Sequence, residues 1–317
     1  MKAYLGIDVG SVSTNIVVVS ESGEVLVSLY IRTRGRPLEA ILSGLAEVAG
    51  LTQQEVTICG AGSTGSGRYL AGVMVGADVI KNEITAHAVA ASMYFPEVQT
   101  VLEIGGQDSK IIIMRNGIVT DFAMNTVCAA GTGSFLDQQA SRLNIPITDF
   151  SELALSSGGP VRIAGRCTVF AESDMIHKQQ MGYKLADIIN GLCEALVRNY
   201  LNNVGKGKEI LNTVVFQGGV AANAGIKAAF ERALKLPLVI PKHYGVMGAI
   251  GAAQLAREEI EKTGVTRFKG FKVAGLPYRT GSFECGGCPN NCEIAEIYEE
   301  DRVIGRWGAR CQRWDVL

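Results

Sequence analysis

Aromatic residues are scarce in this chain of 317 residues, at 7%, and histidine occurs only three times. Without further ligand spacing around them, these histidines argue little for a histidine-built metal centre. An excess of one charge is also lacking: 30 Lys and Arg stand against 31 Asp and Glu, for a net charge of −1. That balance argues against a general nucleic-acid or membrane-surface binder. No apolar run approaches the roughly 20 residues needed to cross a bilayer. No basic, apolar, cleavable leader precedes the first strand. A cytoplasmic protein is therefore expected, in which the eight cysteines are read as thiols or metal ligands before structural disulfides.

What is abundant points elsewhere. Hydrophobic residues make up 47% and glycines number 38, a mixture typical of nucleotide-binding α/β proteins. The length predicts a pair of packed domains. Three β-rich runs, 3–7, 15–20 and 25–31, open the chain. The first turn, Asp8-Val9-Gly10-Ser11-Val12-Ser13-Thr14, offers backbone N–H groups and the hydroxyls of Ser11, Ser13 and Thr14 to a phosphate. Asp8 stands beside them to orient a magnesium-bound water; the alternative is a plain polar hairpin turn. An amphipathic helix at 37–50 and a strand at 56–59 lead into a glycine-rich loop at 60–67, with Cys59 read as core. Glu83 and His87 share a face of a helix at 78–94, read as a local polar pair before a cleft contact.

Strands follow at 100–104, 111–114 and 118–122, with Asn116-Gly117 as a hairpin turn. The first of them ends in Glu103-Ile104-Gly105-Gly106-Gln107-Asp108, so a strand, an acidic-glycine turn and a strand recur about 95 residues on, the mark of two similar halves across a cleft. A long helix at 185–202 and a strand at 211–216 lead to Gln217-Gly218-Gly219-Val220-Ala221. This glycine turn opens a helix and permits close approach of a nucleotide. A small-residue helix begins near Met247, itself read as core.

Cys128 and Cys167 each stand just before an expected helix, at 129–143 and 168–180. They are read as ligands of a redox cluster shared by two copies of the chain, against the alternative of two unrelated buried thiols. Two cysteines cannot supply four ligands, so the cluster needs either other cysteines or a second subunit, and a two-fold dimer would complete the count. A cluster there would face free N–H groups and the positive ends of two helices. Cys193, in the apolar stripe of the long helix, is read as core. Beyond residue 267, a linker at 277–281 leads to Cys285-x-x-Cys288-x-x-x-Cys292, with Cys311 following 19 positions later. The spacing predicts a metal site, zinc or a second 4Fe-4S cluster, with disulfides as the remaining choice. Glu293, Glu296, Glu299 and Glu300 before Arg302, Arg306, Arg310 and Arg313 are read as a solvated surface.

The ordered turns at Asp8, Glu103 and Gln217 resemble the phosphate and adenosine motifs of the acetate and sugar kinase, heat-shock protein 70 and actin superfamily. Within it, the phrases at 82–88, 105–110, 125–135 and 165–172 resemble the ATP-dependent activators of 2-hydroxyacyl-CoA dehydratases and the benzoyl-CoA reductase ATPase subunits. One departure is Glu103, where the superfamily commonly has Asp. The resemblance covers about residues 1–262. It implies an actin-like α/β ATPase fold of two duplicated ribonuclease H-like subdomains, 1–95 and 96–266, before a cysteine-rich metal-binding tail at 267–317. It further implies a homodimer with one 4Fe-4S cluster held by Cys128 and Cys167 of each copy. ATP would drive low-potential electrons from a donor such as ferredoxin or flavodoxin to a partner iron–sulfur enzyme. Asp8 and Glu103 would serve the magnesium shell, and Gln107 or Asp108 the attacking water. Gly10, Ser11, Ser13, Thr14, Gly105, Gly106, Gly218, Gly219 and Ala221 would line the nucleotide. The competing readings are a small-molecule kinase of the same superfamily and a non-redox nucleotide switch.

Overall fold

The computed structural model describes residues 1–52, 56–125 and 127–317; Thr126, in the 125–135 phrase, lies outside them. The chain divides into two compact units, Met1–Ala90 with Gly248–Leu317, and Ala91–Met247. The first half supplies β1 (Lys2–Val9), β2 (Ser13–Ser20), β3 (Val25–Arg32), α1 (Pro37–Leu51), β4 (Thr57–Thr64), α2 (Arg68–Val75), β5 (Val79–Ile80) and α3 (Glu83–Tyr94). Next come β6 (Thr100–Ile104), β7 (Ser109–Arg115), β8 (Ile118–Asn125), α4 (Gly133–Leu143), α5 (Phe150–Leu155), α6 (Thr168–Gln180), α7 (Leu185–Asn203), β9 (Val214–Gln217), α8 (Ala224–Leu234) and β10 (Leu238–Val239). The chain closes with α9 (Met247–Thr263), β11 (Tyr278–Glu284), β12 (Glu293–Glu299) and β13 (Arg302–Trp307).

The two five-stranded sheets have the same plan. The first runs β3-β2-β1-β4-β5 and the second β8-β7-β6-β9-β10. In each, three strands form an antiparallel meander and the first of them pairs in parallel with the strand that follows a helical crossover. The expected internal repeat is therefore visible in topology. Asn116 and Gly117 both take positive φ, at 53° and 77°, the geometry an Asn-Gly hairpin turn requires.

The 60–67 stretch is not a loop throughout, because β4 runs through Gly60 and Gly62 to Thr64. Glycine is needed there for packing. A Cβ on Gly62 would lie 2.0 Å from the Ala252 carbonyl oxygen, one on Gly6 of β1 would lie 1.9 Å from that of Ala249, and one on Gly251 would lie 1.8 Å from that of Ala86. The backbone of α9 thus lies directly against β1, β4 and α3, an approach that only the missing side chains allow. Met247 and Cys193 are buried as expected, and burial pushes the Cys193 thiol up to about 12. Cys59 is half-buried rather than core.

The C-terminal region is a three-stranded antiparallel sheet, β11-β12-β13. The expected linker at 277–281 instead enters β11, whose Tyr278 pairs with Glu299. Ile297 joins the core of the first unit, and the Gly305 backbone lies where a Cβ would sit 2.7 Å from Val73. Nor are all its charges solvated: Glu296 is buried and accepts from Arg306 Nε at 2.6 Å and from the Tyr298 hydroxyl at 2.5 Å. These two donors hold its carboxyl below the usual range.

Gly62→Ala is expected to lower the unfolding free energy by about 3 kcal/mol, since the clash is with backbone. Gly158→Ala, with nothing within 4 Å of the added carbon, should stay within about 0.5 kcal/mol. Urea titration of both variants checks the contrast, and equal effects would refute it.

Candidate functional site

The β1–β2 turn is built by short backbone bonds. The Gly10 amide donates to the Ser13 carbonyl at 2.9 Å, and the Thr33 hydroxyl donates to the Gly10 carbonyl at 2.9 Å. Ser11 is exposed and Ser13 half-buried, so both hydroxyls can meet a ligand, whereas Thr14 is buried with its hydroxyl 3.0 Å from that of Thr33. The Asp8 carboxylate occupies a notch between two glycines. A Cβ on Gly65, whose φ is +91°, would lie 2.5 Å from Asp8 Oδ1, and one on Gly248 would lie 2.2 Å from Oδ2. The same Gly248 position is 3.3 Å from His87 Cε1. The start of α9 therefore gathers Asp8 and the buried His87 at one point, a neighbourhood that the helical spacing of Glu83 and His87 did not indicate.

The β6–β7 turn in the second unit is more heavily charged. Glu103 and Lys110 face each other across the antiparallel pair, and both are buried. Lys110 Nζ reaches Glu103 Oε2 at 3.1 Å and Asp108 Oδ2 at 2.8 Å. One ammonium thus links the two carboxylates, giving a buried charge its required counter-ion. Lys110 closes the 105–110 phrase yet carried no role in the sequence reading. Gln107 is exposed at the tip. From β9, Gly218 adopts a φ of +89°, and a Cβ there would lie 2.6 Å from Glu103 Oε1. Its amide donates to the Tyr244 carbonyl at 2.9 Å, and that of Ala221 to the Gly218 carbonyl at 3.0 Å. Those two N–H groups are committed within the chain, while Gly219 is exposed. The helix after this turn is first a short 3-10 segment and then α8, capped by the Asn223 side chain.

Cys128 and Cys167 are brought to neighbouring segments. Cys128 Sγ lies 3.8 Å from the Arg166 carbonyl oxygen and 3.8 Å from Asn199 Nδ2, and Asn199 Nδ2 also donates to the Gly165 carbonyl at 2.6 Å. Asn125 fixes the other side, accepting from the Cys128 amide at 3.0 Å and donating to its carbonyl at 2.8 Å. Cys167 sits at the N-cap of α6, as the sequence predicts. Cys128 instead caps a 3-10 turn, Ala129–Gly131, and Thr132, in extended conformation, separates it from α4. The first amides of α4 are not free: Gly133 N–H donates to the Gly105 carbonyl at 2.9 Å and Ser134 N–H to the Gly106 carbonyl at 2.8 Å. Both cysteines are half-buried. Around them Val127, Val169 and Phe170 are 95%, 65% and 66% exposed, an apolar rim of the kind that marks an interaction surface.

In the C-terminal sheet, the Cys285 amide donates to the Cys292 carbonyl at 2.8 Å, closing the loop between β11 and β12. Trp314 Nε1–H lies 3.2 Å from Cys285 Sγ, and this contact, the Gly287 amide and nearby Arg313 lower the thiol's pKa. Cys288 and Cys311 are exposed. Among the described residues no group of three or more His, Cys, Asp or Glu side chains is arranged to hold a metal ion. The predicted four-thiol set is therefore not assembled here, only its hairpin base.

Residues 5–256 match the model of the BadF/BadG/BcrA/BcrD ATPase family, so β11, β12 and β13 lie outside the match. The chain is 38% identical over 266 residues to the (R)-2-hydroxyglutaryl-CoA dehydratase activating ATPase of Acidaminococcus fermentans, covering 81% of this chain and 98% of that protein. It superposes with a TM-score of 0.74 and 31% identity on the activator of the 2-hydroxyisocaproyl-CoA dehydratase from Clostridium difficile with bound ADPNP, covering 83% and 97% of the two chains. A ROK family glucokinase from Streptomyces griseus shares the fold alone, at 14% identity, a TM-score of 0.50 and coverage of 81% and 99%. The two matched sheets, the repeated order of their turns and these likenesses give an actin-like α/β ATPase fold, and the chain belongs to the BadF/BadG/BcrA/BcrD ATPase family.

Proposed function

We propose that this protein is an ATP-driven electron-transfer activator whose homodimer holds one 4Fe-4S cluster through Cys128 and Cys167 of each copy. Electrons would pass from a low-potential donor to a partner iron–sulfur enzyme of the 2-hydroxyacyl-CoA dehydratase type. The observation that carries the reading is the seat of the two thiols. They occupy adjacent, half-buried segments, with Asn199 between them. An exposed apolar rim of Val127, Val169 and Phe170 surrounds them. The donor set fits the group: two thiolates per chain are half of what a 4Fe-4S cluster needs, and a two-fold axis supplies the rest. When bound, the cluster supplies a one-electron carrier.

The remaining work belongs to the chain. In each phosphate turn a carboxylate stands at the end of a buried strand, Asp8 in one and Glu103 in the other, suited to waters of a nucleotide-bound magnesium. Ser11, Ser13, Gly10, Gly105 and Gly106 offer small groups to phosphate oxygens, and exposed Gln107 or Asp108 would orient the attacking water. Lys110 holds Asp108 and Glu103 in place until the magnesium nucleotide binds. The α4 amides bonded to Gly105 and Gly106 then carry a change in that turn into the segment that begins at Cys128. Such a device works only if nucleotide binds one arrangement better than the other. The relatives supply the partner class, since they are named as dehydratase activators.

The C-terminal cysteines are given no step in this cycle. Their spacing, and a Cys285 thiol whose pKa is lowered, make them donors for zinc or a second cluster, which would have to draw Cys288 and Cys311 inward.

Anaerobic purification and reconstitution should give a brown protein with about four irons per dimer in the bridging site, lost in Cys128→Ser. Colourless, iron-free dimers that still hydrolyse ATP would overturn the electron-carrier reading. Metal beyond that amount, removed by Cys288→Ser while the visible spectrum of the bridging cluster stays, is expected for the C-terminal site. Equal metal in the wild type and Cys288→Ser would leave those thiols unliganded.

A further inference from the structure

Helix α7 touches both the charged turn and the two cysteine-bearing segments through two successive residues. Asn199, buried, donates from Nδ2 to the Gly165 carbonyl at 2.6 Å and faces Cys128 Sγ at 3.8 Å, so one amide spans the two cysteine-bearing segments. Its Oδ1 accepts from Asn203 Nδ2 at 2.9 Å, and a Cβ on Gly131 would lie 2.7 Å from that same oxygen. The amide is therefore held at both its nitrogen and its oxygen. Tyr200, fully buried, donates its hydroxyl to the Lys110 carbonyl at 2.6 Å. Its ring is fixed edge-on against Phe230, with centroids 5.2 Å apart. Lys110 in turn carries the ammonium that links Glu103 and Asp108.

Successive helical residues point about 100° apart, so one turn of α7 can grip different parts of the unit at once. The same helix is pressed against the strip before Cys167: a Cβ on Gly165 would lie 2.8 Å from the Ala195 carbonyl oxygen, and Arg198 Nη2 donates to the Ile163 carbonyl at 2.5 Å. Such packing moves as a body and does not absorb a displacement locally. We infer that Asn199 and Tyr200 are positioning residues that make α7 a rigid tie between the Glu103–Lys110–Asp108 turn and the two cysteine segments. A shift of the turn reaches Tyr200 through the Lys110 carbonyl, and Asn199 passes it to the Cys128 loop and the Gly165 strip together. This route is separate from the backbone bonds between the turn and α4. The inference rests on the proposed function only for the chemistry of the thiols, and the tie itself can be read without a cluster.

The test is amide hydrogen exchange on the full-length anaerobic protein, with and without magnesium and a non-hydrolysable ATP analogue. It is followed at residues 127–135 and 164–171 in the wild type, Tyr200→Phe and Asn199→Ala. The wild type should show a nucleotide-dependent change in both segments. Tyr200→Phe, which removes only a hydroxyl, should bind the analogue as before yet lose most of that change at 164–171. Asn199→Ala should do the same, and Asn203→Ala, at an exposed position, should weaken the change if Asn199→Ala does not fold. Where iron is bound, Asn199→Ala should also shift the midpoint potential downward, because an N–H facing sulfur favours the reduced state, and Tyr200→Phe should not. No nucleotide-dependent change in the wild type, or a full-sized change in the variants, overturns the tie. A change that depends on Tyr200 in a protein unable to hold iron keeps the tie and removes the electron-carrier reading. Iron bound normally with variants indistinguishable from wild type does the reverse.

Discussion

The hydrogen bonds from the Gly133 and Ser134 amides to the carbonyls of Gly105 and Gly106 are the constraint on which the second unit depends. A helix start normally leaves its first amides unsatisfied. Here they are spent on the backbone of a turn that has no side chains at those positions. The consequence is geometric, since α4 cannot keep its seat if the turn changes shape.

Electrostatics adds to that geometry. Glu103 is buried at the end of β6 and could not remain so as an unpaired charge without a large penalty. Lys110, directly opposite in the ladder, meets it and also draws in Asp108. The turn is thereby held by charge on its side chains and by α4 on its backbone. In the first unit the corresponding acid, Asp8, packs against the backbone at Gly65 and Gly248. The two repeats share a strand plan, and in both a carboxylate oxygen lies where a glycine lacks its side chain, at Gly218 for Glu103 as at Gly65 and Gly248 for Asp8.

Much of this could be read along the chain. The strand, acidic-glycine turn and strand pattern, the Asn116-Gly117 hairpin and the helix after Cys167 are local features, each determined within a few residues. Other features misled for physical reasons. Gly60 and Gly62 suggested a loop because glycine disfavours strands, but α9 needs their bare backbone. Pro277 to Gly281 looked like a linker, yet β12 supplies a partner for β11. The single helix expected after Cys128 is broken at Thr132, where the chain turns extended before the Gly105–Gly106 carbonyls capture the start of α4.

The sequence by itself determined the repeated turns, the placement of Cys128 and Cys167 ahead of their helical segments, and the family, because these are matters of residue type at short spacing. Tertiary structure alone decided that Lys110 joins Glu103 to Asp108, that Thr14 turns inward to Thr33, and that His87 and Asp8 both face Gly248. It also decided that Asn199 spans segments 34 and 71 positions away in the chain. Such partners are chosen by strand register and by the close approach of helix backbones. Neither leaves a periodic trace in the residues concerned.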